Sequence, residues 1–183
     1  MQHGVDATSV AGSIPVPAIV FTQINLHHSK GASAILARRM AKVDTGICLI
    51  QEPWICKGKI AGLNGCGTLI CGCTDSTRTC ILVKGLQVGT VSKHCSRDLT
   101  TAKISYKNPD GAKKEILAAA AYFPYEGICP PKEVEALVRE CEVKGHRLIL
   151  GCDVNAHHTV WGSCDSKLRG EKLLEFLATT NLN

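Results

Sequence analysis

Three apolar runs in the sequence exit into side chains able to bind a hard metal ion or a phosphate. Ala18–Leu26 (AIVFTQINL) carries Asn25 near its end, Gly46–Gln51 (GICLIQ) meets Glu52, and Arg147–Gly151 (RLILG) leads to Asp153 and Asn155. A carboxylate just beyond an apolar strand lies at a sheet edge, partly stripped of water, and a cation there offsets the cost of its burial. Strand side chains repeat every two residues, so Asp153 and Asn155 share a face. Mg²⁺ takes one or two protein carboxylates and keeps several waters, so Glu52 and Asp153 suffice as its charged pair. Taken singly, a glutamate before Pro53 or an Asp-Val-Asn turn is a cap or a loop hydrogen-bonder. Their shared position, each at the tip of a buried strand, is what points to one site.

Other residues invite metal chemistry and support it less. The pairs His27-His28 and His157-His158 are adjacent, and adjacent side chains point apart, whereas a structural zinc site needs four ligands at defined spacing. They read as loop contacts or as positions facing a bound ligand. Cys66, Cys71, Cys73 and Cys80 contain no C-x-x-C pair and lie among strand-like residues. Trp161 reads as a packing anchor, Arg38, Arg39 and Lys42 as the solvated face of a helix, and Arg97-Asp98 as a turn pair.

The elements that must position these groups follow from periodicity. Residues 1–17 mix Gly, Ser and Pro without an apolar period and are expected to form a loose leader, with one domain from 18 to 183. Ala18–Leu26 reads as a strand. Ala32, Ile35, Leu36, Met40 and Val43 then mark an amphipathic helix, capped by Ser29 or Ser33. Gly46–Gln51 is a strand buried on both faces. From Gly62 to Tyr106, short Val/Ile/Leu/Thr/Cys runs alternate with turns, as in antiparallel strands. Asn108-Pro109-Asp110-Gly111 is a turn before Glu115–Phe123 (EILAAAAYF), a strand despite four alanines because helix caps are missing and Pro124 follows. Pro131–Lys144 is a helix with Val134, Leu137, Val138 and Cys141 on one stripe and Gly145 past its end. A core strand at Arg147–Gly151 and a helix at Gly170–Thr179 complete an α/β order. A dinucleotide-binding fold is disfavoured, because QINLHHSKG is no Gly-rich phosphate turn.

The 183 residues, 45% hydrophobic and 20% charged, suffice for one core and not for two comfortable domains. No run approaches a membrane span, and no secretory signal pattern precedes the first strand. Eleven cysteines, an odd number at irregular spacing and often inside apolar runs, fit reduced thiols in the nucleus or cytoplasm better than secretion. A net charge of +5 permits attraction to a phosphate backbone without requiring it.

The segments QINLHHSK (23–30), LIQEPW (49–54), AAYFPYE (120–126), LILGCDVNAHHTVWGS (148–163) and RGEKLLEFL (169–177), in this order, resemble the apurinic-like endonuclease domain of insect non-LTR retrotransposons. That domain is a branch of the endonuclease/exonuclease/phosphatase superfamily, and the resemblance runs from Ala18 to Asn183. It implies a four-layer α/β sandwich like that of deoxyribonuclease I. It further implies that Glu52 is the principal Mg²⁺ ligand, with Mn²⁺ as a substitute, and that Asn25 and Asp153 support the metal. Tyr122 would contact the scissile phosphate, Asp153 would position or deprotonate the attacking water, and Asn155 would bind the phosphate. The implied partners are double-stranded DNA and the reverse transcriptase domain of the same polyprotein, which would use the nick as a primer.

Relatives of this kind continue into strands bearing a catalytic aspartate and a terminal Ser-Asp-His motif, for which these residues hold no counterpart. The expectation is therefore a sandwich lacking its last strands, with weak or no nicking activity and marginal stability. The reading from a different class is a catalytically inactive remnant that binds nucleic acid or protein.

Overall fold

The computed structural model describes residues 18–72 and 76–182. The expected leader at 1–17 lies outside them, as does Cys73. In chain order the elements are β1 (Val20–Asn25), α1 (Lys30–Ala41), β2 (Gly46–Gln51), β3 (Ile55–Cys56), β4 (Lys59–Ile60), β5 (Thr68–Cys71), β6 (Thr79–Lys84) and β7 (Gln87–Thr90). There follow β8 (Leu99–Lys107), β9 (Lys113–Tyr122), α2 (Lys132–Lys144), β10 (Leu148–Asp153) and α3 (Leu168–Ala178).

Two four-stranded sheets carry the fold, in the orders β1-β2-β6-β5 and β10-β9-β8-β7; β3 and β4 form a separate hairpin. The pairs β1–β2 and β9–β10 are parallel and the remaining pairs antiparallel. Between the sheets, Ile47, Leu49, Ile81 and Val83 pack against Ala102, Ile104, Ala118 and Ala120. On the outer face of the first sheet, Leu36 and Met40 of α1 cover Cys48, Ile50, Cys80 and Leu82. On the outer face of the second, Val134, Leu137, Val138 and Cys141 of α2 and Leu173 of α3 cover Leu99, Ala119 and Ala121. The result is helix, sheet, sheet, helix: the four-layer sandwich of the deoxyribonuclease I-like class.

The strand patterns explain themselves in this frame. All six residues of β2 are buried, as the unbroken apolar run requires of a strand covered on both faces. The four alanines of β9 are each fully buried, two toward the other sheet and two toward α2 and α3. Their small side chains suit a strand sandwiched from both sides. The Ser29 hydroxyl accepts from the Ala32 amide at 3.2 Å, which settles the α1 cap in favour of Ser29 over Ser33. α2 ends where Gly145 takes a left-handed conformation (φ 66°), which glycine adopts at no steric cost.

Two details depart from expectation. Ile35 sits at helical spacing but is 70% exposed, because α1 rests on the sheet through Ser33, Leu36 and Met40. The β3–β4 hairpin was not anticipated; two-residue strands carry no periodicity.

Candidate active site

Asn25, Glu52 and Asp153 all lie at one end of the sandwich, where β1, β2 and β10 terminate. Asn25 is the register partner of Gln51, which immediately precedes Glu52. Across the gap between the sheets, the Asn25 amide donates to Asp153 Oδ2 at 2.6 Å. Asn25 Oδ1 in turn accepts from the His27 backbone N–H at 2.8 Å. His27 Nδ1 stands 3.4 Å from one Glu52 oxygen and His28 Nε2 3.9 Å from the other. The histidines that read as loop contacts thus flank the carboxylate. The Glu52 backbone is fixed on both sides: its N–H donates to the Arg78 carbonyl and its own carbonyl accepts from His28, each at 2.8 Å.

Beneath this contact, fully buried Gln51 accepts from the Gln23 amide at 2.7 Å and donates to the Gly151 carbonyl at 2.9 Å. A Cβ at Gly151 would lie 2.8 Å from Leu49 Cδ1 and 2.9 Å from Gln23 Cγ, so the close approach of β10 to the first sheet requires glycine there.

Asp153 is the register partner of Tyr122, which places the tyrosine at the next strand tip. Asn155 donates its backbone N–H toward Asp153 Oδ1 at 3.4 Å, and its side-chain amide to the Phe123 carbonyl at 3.2 Å. The alternation expected for Asp153 and Asn155 is not how they meet. β10 ends at Asp153, and Asn155 has φ 46°, so a turn rather than a strand face brings them together.

The backbone is strained here. His27, His28, Glu52 and Asn155 all have positive φ, and only two other described non-glycine residues, Lys57 and Ser76, do so. Left-handed backbone costs roughly 1–2 kcal/mol per residue outside glycine, less for Asn. Such conformations cluster where a site over-determines its groups.

Two residues of this region escaped sequence reasoning in their present role. Arg78 forms a two-pronged pair with Asp98, 2.5 Å at each contact, and its guanidinium lies 4.5 Å from the centre of the Tyr122 ring. The Asp98 hydrogen bonds, and then the charges of Asp98, Tyr122 and Glu52, hold Arg78 firmly protonated against partial burial. Asp98 therefore does not pair with its neighbour Arg97, which instead donates to the Ser76 carbonyl. A charged residue directly before the apolar run TCILV was the available signal for Arg78, the mirror of Glu52 after its own run.

The AHHxxWG and RGE segments buttress the far side. His158, almost fully buried, accepts from the Val160 amide, faces Glu171 at 3.3 Å and stacks against Trp161 at 4.9 Å. Trp161 donates to the Ala156 carbonyl, the anchoring role expected of it. Arg169 donates to four carbonyls, those of Phe123, Tyr125, Gly127 and Val154, and so ties the β9 exit to the β10 exit. A Cβ on Gly170 would lie 2.0 Å from the His157 carbonyl oxygen, so α3 can approach this loop only through glycine.

Among the described residues no group of three or more His, Cys, Asp or Glu is arranged to hold a metal ion. The donor set at the strand tips still fits Mg²⁺, which needs only one or two carboxylates and oxygen ligands. Glu52 is a carboxylate 18% exposed whose ion-pair neighbours among the described residues are His27 and His28, at the strand tip next to that of Asn25.

The architecture is that of a deoxyribonuclease I-like α/β sandwich with a polar cluster at its strand tips. Residues 116–183, from β9 through α3, match the family model described as Endonuclease-reverse transcriptase. Among solved structures the chain is similar to the "Endonuclease domain of TRAS1, a telomere-specific non-LTR retrotransposon". That match has a TM-score of 0.64 and 23% identity, and covers 85% of this chain and 68% of that one. No curated protein matches the chain. The family match thus lies in the C-terminal part of the chain, and the structural likeness shows a shared fold.

Proposed function

We propose that this chain carries the metal-binding and water-positioning groups of a Mg²⁺-dependent phosphodiester hydrolase that nicks duplex DNA to prime reverse transcription. The observation that carries the reading is the 2.6 Å Asn25–Asp153 hydrogen bond across the two sheets, with Glu52 at the adjoining strand tip. Glu52, with Asn25 and Asp153 beside it, would hold Mg²⁺ or Mn²⁺, which supplies charge withdrawal from the phosphate and stabilisation of the leaving oxygen.

The protein's own groups then have distinct tasks. The Asn25 amide and the Asn155 N–H each occupy an oxygen of Asp153, which keeps that carboxylate oriented to accept a proton from water. Tyr122, held by Arg78 stacked on its ring, presents its hydroxyl to the phosphate. Asn155, fixed by Phe123, offers a further polar contact. Arg78 adds fixed positive charge where a phosphate would enter.

The reaction context is a nuclear or cytoplasmic polyprotein with a reverse transcriptase. No helix among the described residues is long and apolar enough to cross a membrane.

The test is relaxation of supercoiled plasmid in Mg²⁺ by the chain and by a version extended with the strands of its relatives. Glu52→Gln and Asp153→Asn are each expected to lower the rate by at least 10²-fold in whichever form cleaves. Cleavage that survives both substitutions refutes the assignment.

A further inference from the structure

A groove of about 500 Å³ opens beside Asn155, between the β9–α2 loop and the start of α3. Its walls carry Lys167, Lys172 and His157 on one side and Tyr125 and Ile128 on the other. Tyr125 is 68% exposed, Ile128 65% and the adjoining Leu168 72%, an unusual concentration of large apolar side chains on one exposed surface. The floor is rigid, because Arg169 pins the Tyr125 and Gly127 carbonyls to the Val154 carbonyl. Arg169 spends its donors on that task, and its charge remains as part of the local positive field.

The acidic groups facing the groove are few. Glu126 lines it, and Asp165 lies 3.3 Å from His157 and 3.8 Å from Lys167 across exposed ion pairs. Such pairs are weak and exchange readily for a phosphate oxygen. Among the described residues no carboxylate lies within ion-pair distance of Lys172.

We infer that this groove is a flanking subsite for duplex DNA, in which Lys167 and Lys172 take backbone phosphates next to the bond held at Asn155, while Tyr125 and Ile128 press on the adjoining sugar or base. The inference rests on the nuclease reading above and adds to it where the substrate strand leaves the site. Continuity decides the occupant: the groove begins at Asn155, a residue of the proposed active site, so a strand bound at Asp153 and Asn155 has this basic, apolar-walled channel as its adjoining path. Cationic side chains that neutralise phosphates release counterions, and flat apolar side chains contribute affinity insensitive to salt. The two walls therefore have separable signatures.

The experiment is fluorescence anisotropy of a labelled duplex in Mg²⁺ across a salt series, with Asp153→Asn as the non-cleaving background. Lys167→Ala/Lys172→Ala should flatten the slope of log Kd against log salt by roughly two, at about 0.9 per phosphate lost. Tyr125→Ala should weaken binding about 10-fold with the slope unchanged. Asp165→Asn, which frees Lys167 and His157, should tighten binding severalfold. The control Lys113→Ala/Lys114→Ala, at the opposite end of β9, should leave the slope within about 0.3 of the background protein. If the background protein binds duplex and the groove variants track the control, the subsite is wrong and the nuclease reading stands. If the background protein shows no duplex binding at low salt, both fall.

Discussion

Replacing Arg169 by methionine tests whether the β9 and β10 exits are held together as described. Methionine keeps most of the aliphatic volume and removes every guanidinium donor. Four carbonyls lose a partner, but not equally. Tyr125 and Gly127 are exposed, so water replaces the arginine there at little cost. The Phe123 carbonyl is in a buried residue but keeps the Asn155 amide, and Val154 is half-buried with no second donor assigned to its carbonyl. A hydrogen bond from a charged donor is worth about 1.5–3 kcal/mol, and stranding a buried acceptor costs about 1–3 kcal/mol. With the two exposed contacts discounted, the loss centres on Val154 and Phe123, about 2–3 kcal/mol. For a domain of this size that corresponds to roughly 5–10 °C in Tm. Urea unfolding followed by the fluorescence of Trp54 and Trp161 measures it directly. Arg169→Lys, which keeps the charge but not the fork of donors, should recover no more than half. A methionine variant within about 0.5 kcal/mol of wild type would show that the loops are held by packing alone.

Two further outcomes concern groups away from the strand tips. Of the described cysteines only Cys56 and Cys164 are exposed, while burial and the neighbouring Asp153 charge push the Cys152 thiol up to about 12, and burial pushes Cys80 higher still. Iodoacetamide at pH 8 followed by peptide mapping should therefore modify Cys56 and Cys164 first, and comparable labelling of Cys152 in the folded chain contradicts the packing. At the surface, Lys144, Lys93 and His94 surround Glu140 and hold its carboxyl well below the usual range. Because the folded value is depressed, the stabilisation is full above the unfolded value of about 4.3 and disappears as acid carries the pH down toward the folded value. The Tm gap between wild type and Glu140→Gln should be widest near pH 6 and close toward pH 2; a gap that widens on acidification has the sign wrong.

The legible parts of this molecule are those where a local pattern and a burial requirement coincide. Gly46–Gln51 was readable as a doubly covered strand because every residue in it must avoid water, and Pro131–Lys144 as a helix because its stripe and its terminal glycine agree. The strand tips bearing Asn25, Glu52 and Asp153 were readable for the same reason, as polar residues where apolar runs stop. Ile35 misled because helical spacing specifies a face but not its width, and α1 covers its sheet with a narrower stripe. Arg78, Asp98 and Tyr122 were out of reach as a group. They sit 20 and 24 positions apart; the β8–β9 pairing sets Asp98 beside Tyr122, and only the stacking of one sheet on the other brings Arg78 to them.

That stacking has a consequence for how such a domain tolerates change. No strand of one sheet pairs with a strand of the other among the described residues, so the candidate site straddles a seam. A few side-chain stitches cross it: Asn25 to Asp153, Gln51 to the Gly151 carbonyl, and Thr79 to Thr100. The Arg78–Asp98 pair and the Gly72 N–H to Thr100 hydroxyl bond add to these, and between them the halves meet through small apolar groups such as Ala118 and Ala120. Enlarging one of these wedges the leaves of the sandwich apart like a shim in a hinge, and the strain reaches the tip of the seam, where Asn25 meets Asp153.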